Sequence, residues 1–94
     1  MTTGAETTIH LVYYLQPFAD NNEAVKVSGR TVRECLDALV AKYPQLTEKL
    51  FDEKNNLHDY VSVFIRDEMV YADGLARPVK PGDELHVLYI IGGG

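Results

Sequence analysis

Residues 31–43 read TVRECLDALVAKY, and the fold turns on them. Thr31 and Glu34 have capping-box spacing: the threonine hydroxyl can accept from the Glu34 amide while the carboxylate reaches back to the Thr31 amide. Behind that cap, Val32, Leu36, Leu39, Val40 and Tyr43 fall at i, i+4, i+7, i+8 and i+11, an apolar stripe of helical period. Pro44 stops the helix, because the residue before a proline is held out of the α region. A further turn over LTEKLF is possible, and DEKNNLHD reads as loop.

Upstream, residues 7–15 (TTIHLVYYL) are β-branched and aromatic and read as a strand. Alternation places Ile9, Leu11 and Tyr13 on one side and His10, Val12 and Tyr14 on the other. Pro17 and Asp20-Asn21-Asn22 mark a turn region, after which AVKVS forms a second strand ending near Ser28. Downstream, residues 60–66 (YVSVFIR) alternate with period two. Asp67-Glu68 suggests a tight turn into a short strand around MVYA, DGLARPVKPGDE is rich in turn residues, and residues 84–91 (ELHVLYII) form a last strand.

The order is hairpin, helix, strand, short strand, strand. An α+β domain satisfies it: a mixed sheet with one main helix packed across one face, the last strand parallel beside the first. This is the β-grasp, or ubiquitin-like, architecture.

The chain has 94 residues, enough for one core, and divides into a single domain over 1–91 and a glycine tail over 92–94. A net charge of −5 with no Lys/Arg stripe argues against a nucleic-acid partner. Cys35 stands alone, so neither a disulfide framework nor a cysteine-rich zinc site is expected. The start MTTGAETT has no secretory pattern, and no apolar run nears the roughly 20 residues that cross a bilayer. The expectation is a cytoplasmic protein, monomeric when free, with no membrane association.

The stretch PGDELHVLYIIGGG closes the sequence with three glycines after a strand of bulky residues. Fraying accounts for such a tail on composition alone. The wider pattern says more. GDELHVLYIIGGG resembles the ending of the ThiS/MoaD family of sulfur-carrier proteins, and VSVFIRDEMVYADGLARPVKPGDEL is similar to their middle, across most of residues 7–94. The likeness is strongest to the carrier of an alternative cysteine-forming pathway and weaker to the molybdopterin type.

That resemblance implies chemistry. A ubiquitin-activating-type adenylyltransferase uses ATP to activate the Gly94 carboxylate, with Gly93 as the second reactive glycine. Sulfur then replaces AMP, and the thiocarboxylate donates sulfur, through a sulfur-accepting synthase, in cysteine, molybdopterin or related biosynthesis. The chain would be a protein-borne donor, not an enzyme, with ATP used by the partner and no bound cofactor of its own. Three extended residues span about 10 Å, enough to thread an enzyme channel, and a Cβ would widen the thread.

Other residues divide between structure and function. If Leu85, Val87 and Tyr89 face the helix, then His86, Leu88 and Ile90 project from the opposite sheet face. With Ile91 and Gly92 they make a partner-binding stretch beside the tail. Alternatively the N-terminal segment or the long loop covers that face. His10, His58 and His86 read as surface or packed side chains: His10 and His86 can share a face, but no third metal ligand stands at a usual spacing. Cys35 reads as packing, with Glu34 raising its pKa, and Asp83 as a turn residue or a docking contact. Three functions stay open: a sulfur carrier, a ubiquitin-like modifier joined through Gly94 to lysines, and a plain β-grasp interaction domain.

Overall fold

The computed structural model describes residues 6–70 and 74–89. Five strands, β1 (Glu6–Leu11), β2 (Ala24–Ser28), β3 (Val61–Ile65), β4 (Glu68–Val70) and β5 (Glu84–Tyr89), form one mixed sheet in the order β2-β1-β5-β3-β4. β5 runs parallel to β1 and antiparallel to β3, so the last strand fills the centre of the sheet. Helix α1 (Val32–Lys42) covers one face, and the single turn α2 (Thr47–Leu50) follows it after a 3₁₀ turn over Pro44–Leu46. This is the β-grasp expected from the order of elements.

Alternation explains which face is dry. Thr7, Ile9 and Leu11 of β1, Val25 and Val27 of β2, and Leu85 and Val87 of β5 are buried on the helix side. Val32, Cys35, Leu36 and Leu39 of α1 meet them, while Val40 and Tyr43 are half-buried at the edge of the stripe. Burying each large aliphatic side chain contributes about 1.5–3 kcal/mol, so the stripe rather than helix propensity holds α1 in place. Cys35 is fully buried, and burial pushes its thiol pKa up, with the Glu34 carboxylate adding to the rise. The thiol is a packing group.

The cap at the start of α1 differs from its expected form in one bond. Thr31 Oγ1 accepts from the Glu34 amide at 3.1 Å, but Glu34 closes on the Arg30 amide at 2.9 Å instead of that of Thr31. Thr31 is extended and bridged to Pro78. The same loop satisfies two amides that a helix start leaves open: Val32 donates to the Arg77 carbonyl at 3.0 Å and Arg33 to that of Leu75 at 2.8 Å. The turn-rich loop is therefore fastened to the helix, with Leu75 and Val79 buried beneath it.

Three other expectations shift. The first strand ends at Leu11, and residues 13–19 form a 3₁₀ helix instead of continuing β1. Period-two alternation stops there, so Tyr13 does not join Ile9 and Leu11 inside but is 83% exposed. The 3₁₀ segment ends where Asp20 and Asn21 turn left-handed, a region their short polar side chains tolerate. Between β3 and β4 the turn is Arg66-Asp67, one residue earlier than Asp67-Glu68. Both residues have positive φ (51° and 65°), the pattern of a two-residue type I′ hairpin, whose twist matches the strands. β4 accordingly starts at Glu68.

Candidate functional site

β5 organises both faces near its C-terminal end. Val61 stands opposite Tyr89, and Val12 donates to the Val87 carbonyl at 3.1 Å, so β5 is paired with β1 as far as Val87 and with β3 through Tyr89, the last described residue. A strand held by two neighbours aims whatever follows it. The expected partner-binding and reactive residues of the tail, Ile90, Ile91, Gly92, Gly93 and Gly94, lie outside the described residues.

On the face away from α1, His86 is exposed, and Leu88 is 37% exposed, one of the few large apolar side chains so placed. No described part of the long loop or the N-terminal segment covers Leu88 enough to bury it. One cross-strand row on this face runs His10, His86, Phe64, Met69, set by the registers of β1, β5, β3 and β4. Leu88 stands next along, opposite Ser62. The row mixes apolar and imidazole side chains on one sheet face, a composition that a protein partner's surface can cover.

On the helix side, Tyr89 gathers an aromatic cluster that the sequence reading did not assemble. Its ring lies 5.1 Å from Tyr14 and 5.1 Å from Tyr60, centroid to centroid. Tyr14 continues to Phe18 at 6.1 Å, and Tyr60 stacks on His58 at 4.7 Å. Lys49 sits 4.6 Å over Phe18. Each aromatic pair adds about 0.5–1.5 kcal/mol beyond its buried area. The Tyr89 hydroxyl donates to the Lys49 carbonyl, and His58 Nε2 donates to that of Glu48 at 2.9 Å, which ties β5 and the loop before β3 to α2. Burial, then the neighbouring Tyr60 and Tyr14, push the Tyr89 phenol up to about 12. Tyr13, Tyr14 and Tyr60 keep much of their surface in solvent. The only sequence signal for this cluster was an unusual density of tyrosine; the 3₁₀ helix that brings Tyr14 to Tyr89 carried none.

Gly82-Asp83 proves to be architectural. Gly82 has φ +86°, where a side chain would be strained. Asp83 accepts from the Lys80 amide at 2.7 Å and from Arg66 Nη1 at 2.6 Å. The pair shapes the turn into β5 and clamps it to the β3–β4 hairpin, so it sets where β5 begins. His10 and His86 share a face as expected, their rings stacked at 4.6 Å, and the fold adds Glu84 beside them. Among the described residues no helix is long and apolar enough to cross a membrane.

Comparison with known proteins agrees with this geometry. The model of the ThiS family matches residues 9–94. The sulfur carrier protein CysO of Mycobacterium tuberculosis is 30% identical over 90 residues, spanning 93% of this chain and 97% of the relative. The crystal structure of small archaeal modifier protein 1 from Haloferax volcanii superposes with a TM-score of 0.81 at 30% identity, covering 89% of this chain and 95% of that one. The Amycolatopsis orientalis BexX/CysO complex contains a chain with a TM-score of 0.82 at 29% identity, covering 94% and 99%. With a family match over nearly its whole length and a ubiquitin-like fold shared with these relatives, the chain belongs to the ThiS family.

Proposed function

We propose that this protein is a sulfur carrier whose reactive group is the carboxylate of Gly94. The observation that carries the reading is the family match that continues through Gly93-Gly94, downstream of a strand that pairs with both β1 and β3. In the proposed cycle a carboxylate oxygen attacks the α-phosphorus of ATP on an adenylyltransferase, releasing pyrophosphate and forming an acyl adenylate. A persulfide sulfur then attacks the acyl carbon and expels AMP. A second thiol cleaves the resulting S–S bond, is itself oxidised to a disulfide, and leaves the thiocarboxylate on Gly94. That group is a tethered nucleophile for a sulfur-accepting synthase. The likeness to CysO favours a cysteine-forming acceptor over a molybdopterin one.

The folded body supplies recognition in this reading. Leu88, His86 and the aromatic cluster flank the end of β5, and their contacts with the enzyme offset the entropy lost when a glycine thread is ordered. Ile90, Ile91 and Gly92 complete the partner-binding stretch. The protein acts as a co-substrate, and ATP belongs to its activating partner.

A second reading rests on the similarity to the archaeal modifier: the same adenylated Gly94 passes to a lysine amine and forms an isopeptide. Intact-mass spectrometry after incubation with ATP, a sulfur donor and the activating enzyme separates the two. The carrier reading expects one terminal oxygen replaced by sulfur, localised to Gly94 and lost on deletion of Gly94 with folding retained. Sulfur loading that survives the deletion overturns the assignment, and lysine-linked conjugates without thiocarboxylate favour the modifier.

A further inference from the structure

His10, Glu84 and His86 lie together on the sheet face away from α1. β1 and β5 are parallel neighbours in a register that sets Thr8 beside Glu84 and His10 beside His86. Glu84 and His86, two apart on one strand, project to the same side, and so does His10 from the next strand. The fold thus brings two imidazoles and a carboxylate from positions 74 and 76 residues apart in the chain onto one patch. Their donor atoms all lie within 4.8 Å of one another. His10 Nε2 stands 2.6 Å from Glu84 Oε1, and the two rings stack 4.6 Å apart with 12° between their planes.

We propose that His10, Glu84 and His86 bind one divalent transition-metal ion of the borderline class, with zinc as the reference ion. Zn–N and Zn–O bonds of about 2.0–2.2 Å set neighbouring ligands of a tetrahedral ion about 3.3 Å apart. His10 and Glu84 give up their hydrogen bond and part by about 0.7 Å, and no gap in the trio has to close by more than about 1.5 Å. The side chains are at least partly in solvent, so rotation about their own torsions closes it without moving the backbone. The parallel register holds the three Cα positions fixed, which lowers the ordering cost of binding.

The donor set selects the ion. Calcium and magnesium take oxygen ligands in larger number, and soft monovalent copper takes thiolate or thioether sulfur. Two imidazoles and one carboxylate suit zinc, nickel or divalent copper. Three protein ligands leave one tetrahedral position open for water or for a group on a docked partner. The net charge of −5 draws cations toward the surface. Lys26 pairs with Thr8 on the far side of β1 from Glu84, so a strand separates it from the carboxylate. His86 belongs both to this trio and to the docking row, so ion occupancy alters the surface a partner meets.

The test uses the full chain without a histidine tag, titrated with zinc chloride by calorimetry in a non-coordinating buffer while the imidazole C–H signals are followed by NMR. One equivalent of zinc is expected to bind, shifting the His10 and His86 signals and leaving those of His58 in place. Loss of a group that merely supports a ligand costs about 10–100-fold in affinity, so His10→Gln or His86→Gln should weaken binding by about a hundredfold or more. Glu84→Gln should weaken it by about tenfold or more. Each variant changes a solvent-facing side chain, and an unaltered circular dichroism melt establishes that it folds. Titration with divalent copper, read by electron paramagnetic resonance, should show two nitrogen ligands in the unaltered protein. No saturable zinc binding, zinc affinity retained in the His10→Gln/His86→Gln double variant, or shifts at His58 instead would overturn the site. None of these readouts depends on sulfur loading, so the site and the carrier reading fail separately.

Discussion

Replacing Gly29 with alanine should loosen the junction between β2 and α1, and the structure sets the size of the effect. A Cβ on Gly29 would lie 2.9 Å from the Cys35 nitrogen, 3.0 Å from Cys35 Sγ and 3.1 Å from the Glu34 carbonyl carbon. Ordinary carbon contacts run about 3.5–4.0 Å, so the first turn of α1 must retreat by about half an ångström. Two of the three atoms are helix backbone, which cannot rotate aside. Overpacking of this kind costs about 1–3 kcal/mol. Alanine also restricts the unfolded chain, which offsets about 0.4–1 kcal/mol. The net expectation is a loss of about 1–2 kcal/mol, or about 4–16 °C in Tm for a domain of this size. Thermal and urea unfolding followed by circular dichroism measures it. Adding Cys35→Ala removes the Sγ contact but not the backbone ones, so the double variant should recover about 0.5 kcal/mol or more relative to additivity. An unchanged or raised Tm for Gly29→Ala would show that α1 is not pressed against Gly29 and would refute the reasoning.

Thr31→Ala removes the hydroxyl that caps the Glu34 amide and should cost about 1 kcal/mol in urea unfolding, whereas Thr31→Ser should retain most of the stability. Leu88→Asp changes an exposed outer-face residue. Its folding free energy should stay within about 0.5 kcal/mol while affinity for the activating enzyme falls by about tenfold or more; unaltered binding would remove Leu88 from the docking strip. In a spectrophotometric tyrosine titration, Tyr89 should ionise near pH 12, and Tyr89→Phe should delete that step. Its folded pKa is raised above the ordinary value of 10.0. The contribution of Tyr89 to stability is therefore complete below about pH 10 and disappears as pH climbs through about 12.

The sequence by itself determined what is local. The Thr31 cap, the stripe from Val32 to Tyr43 and the stop at Pro44 define α1, because each rests on spacing within a few residues. Alternation through Leu85, His86, Val87 and Leu88 assigned the two faces of β5 for the same reason. The glycine run and Gly82-Asp83 carried the family resemblance, a matter of residue identity in order. What the fold decided is non-local. The 3₁₀ helix over Tyr13–Ala19 overrides a strong β propensity and brings Tyr14 to Tyr89, a contact across 75 positions. The amides of Val32 and Arg33 at the start of α1 are met by the carbonyls of Arg77 and Leu75, more than 40 positions along the chain. The trio of His10, Glu84 and His86 exists only through the parallel register of β1 with β5. Spacing along a chain reports on neighbours within an element. Register between distant strands is set by the packing of the whole sheet, and that is where this protein joins its imidazoles and carboxylate on one face.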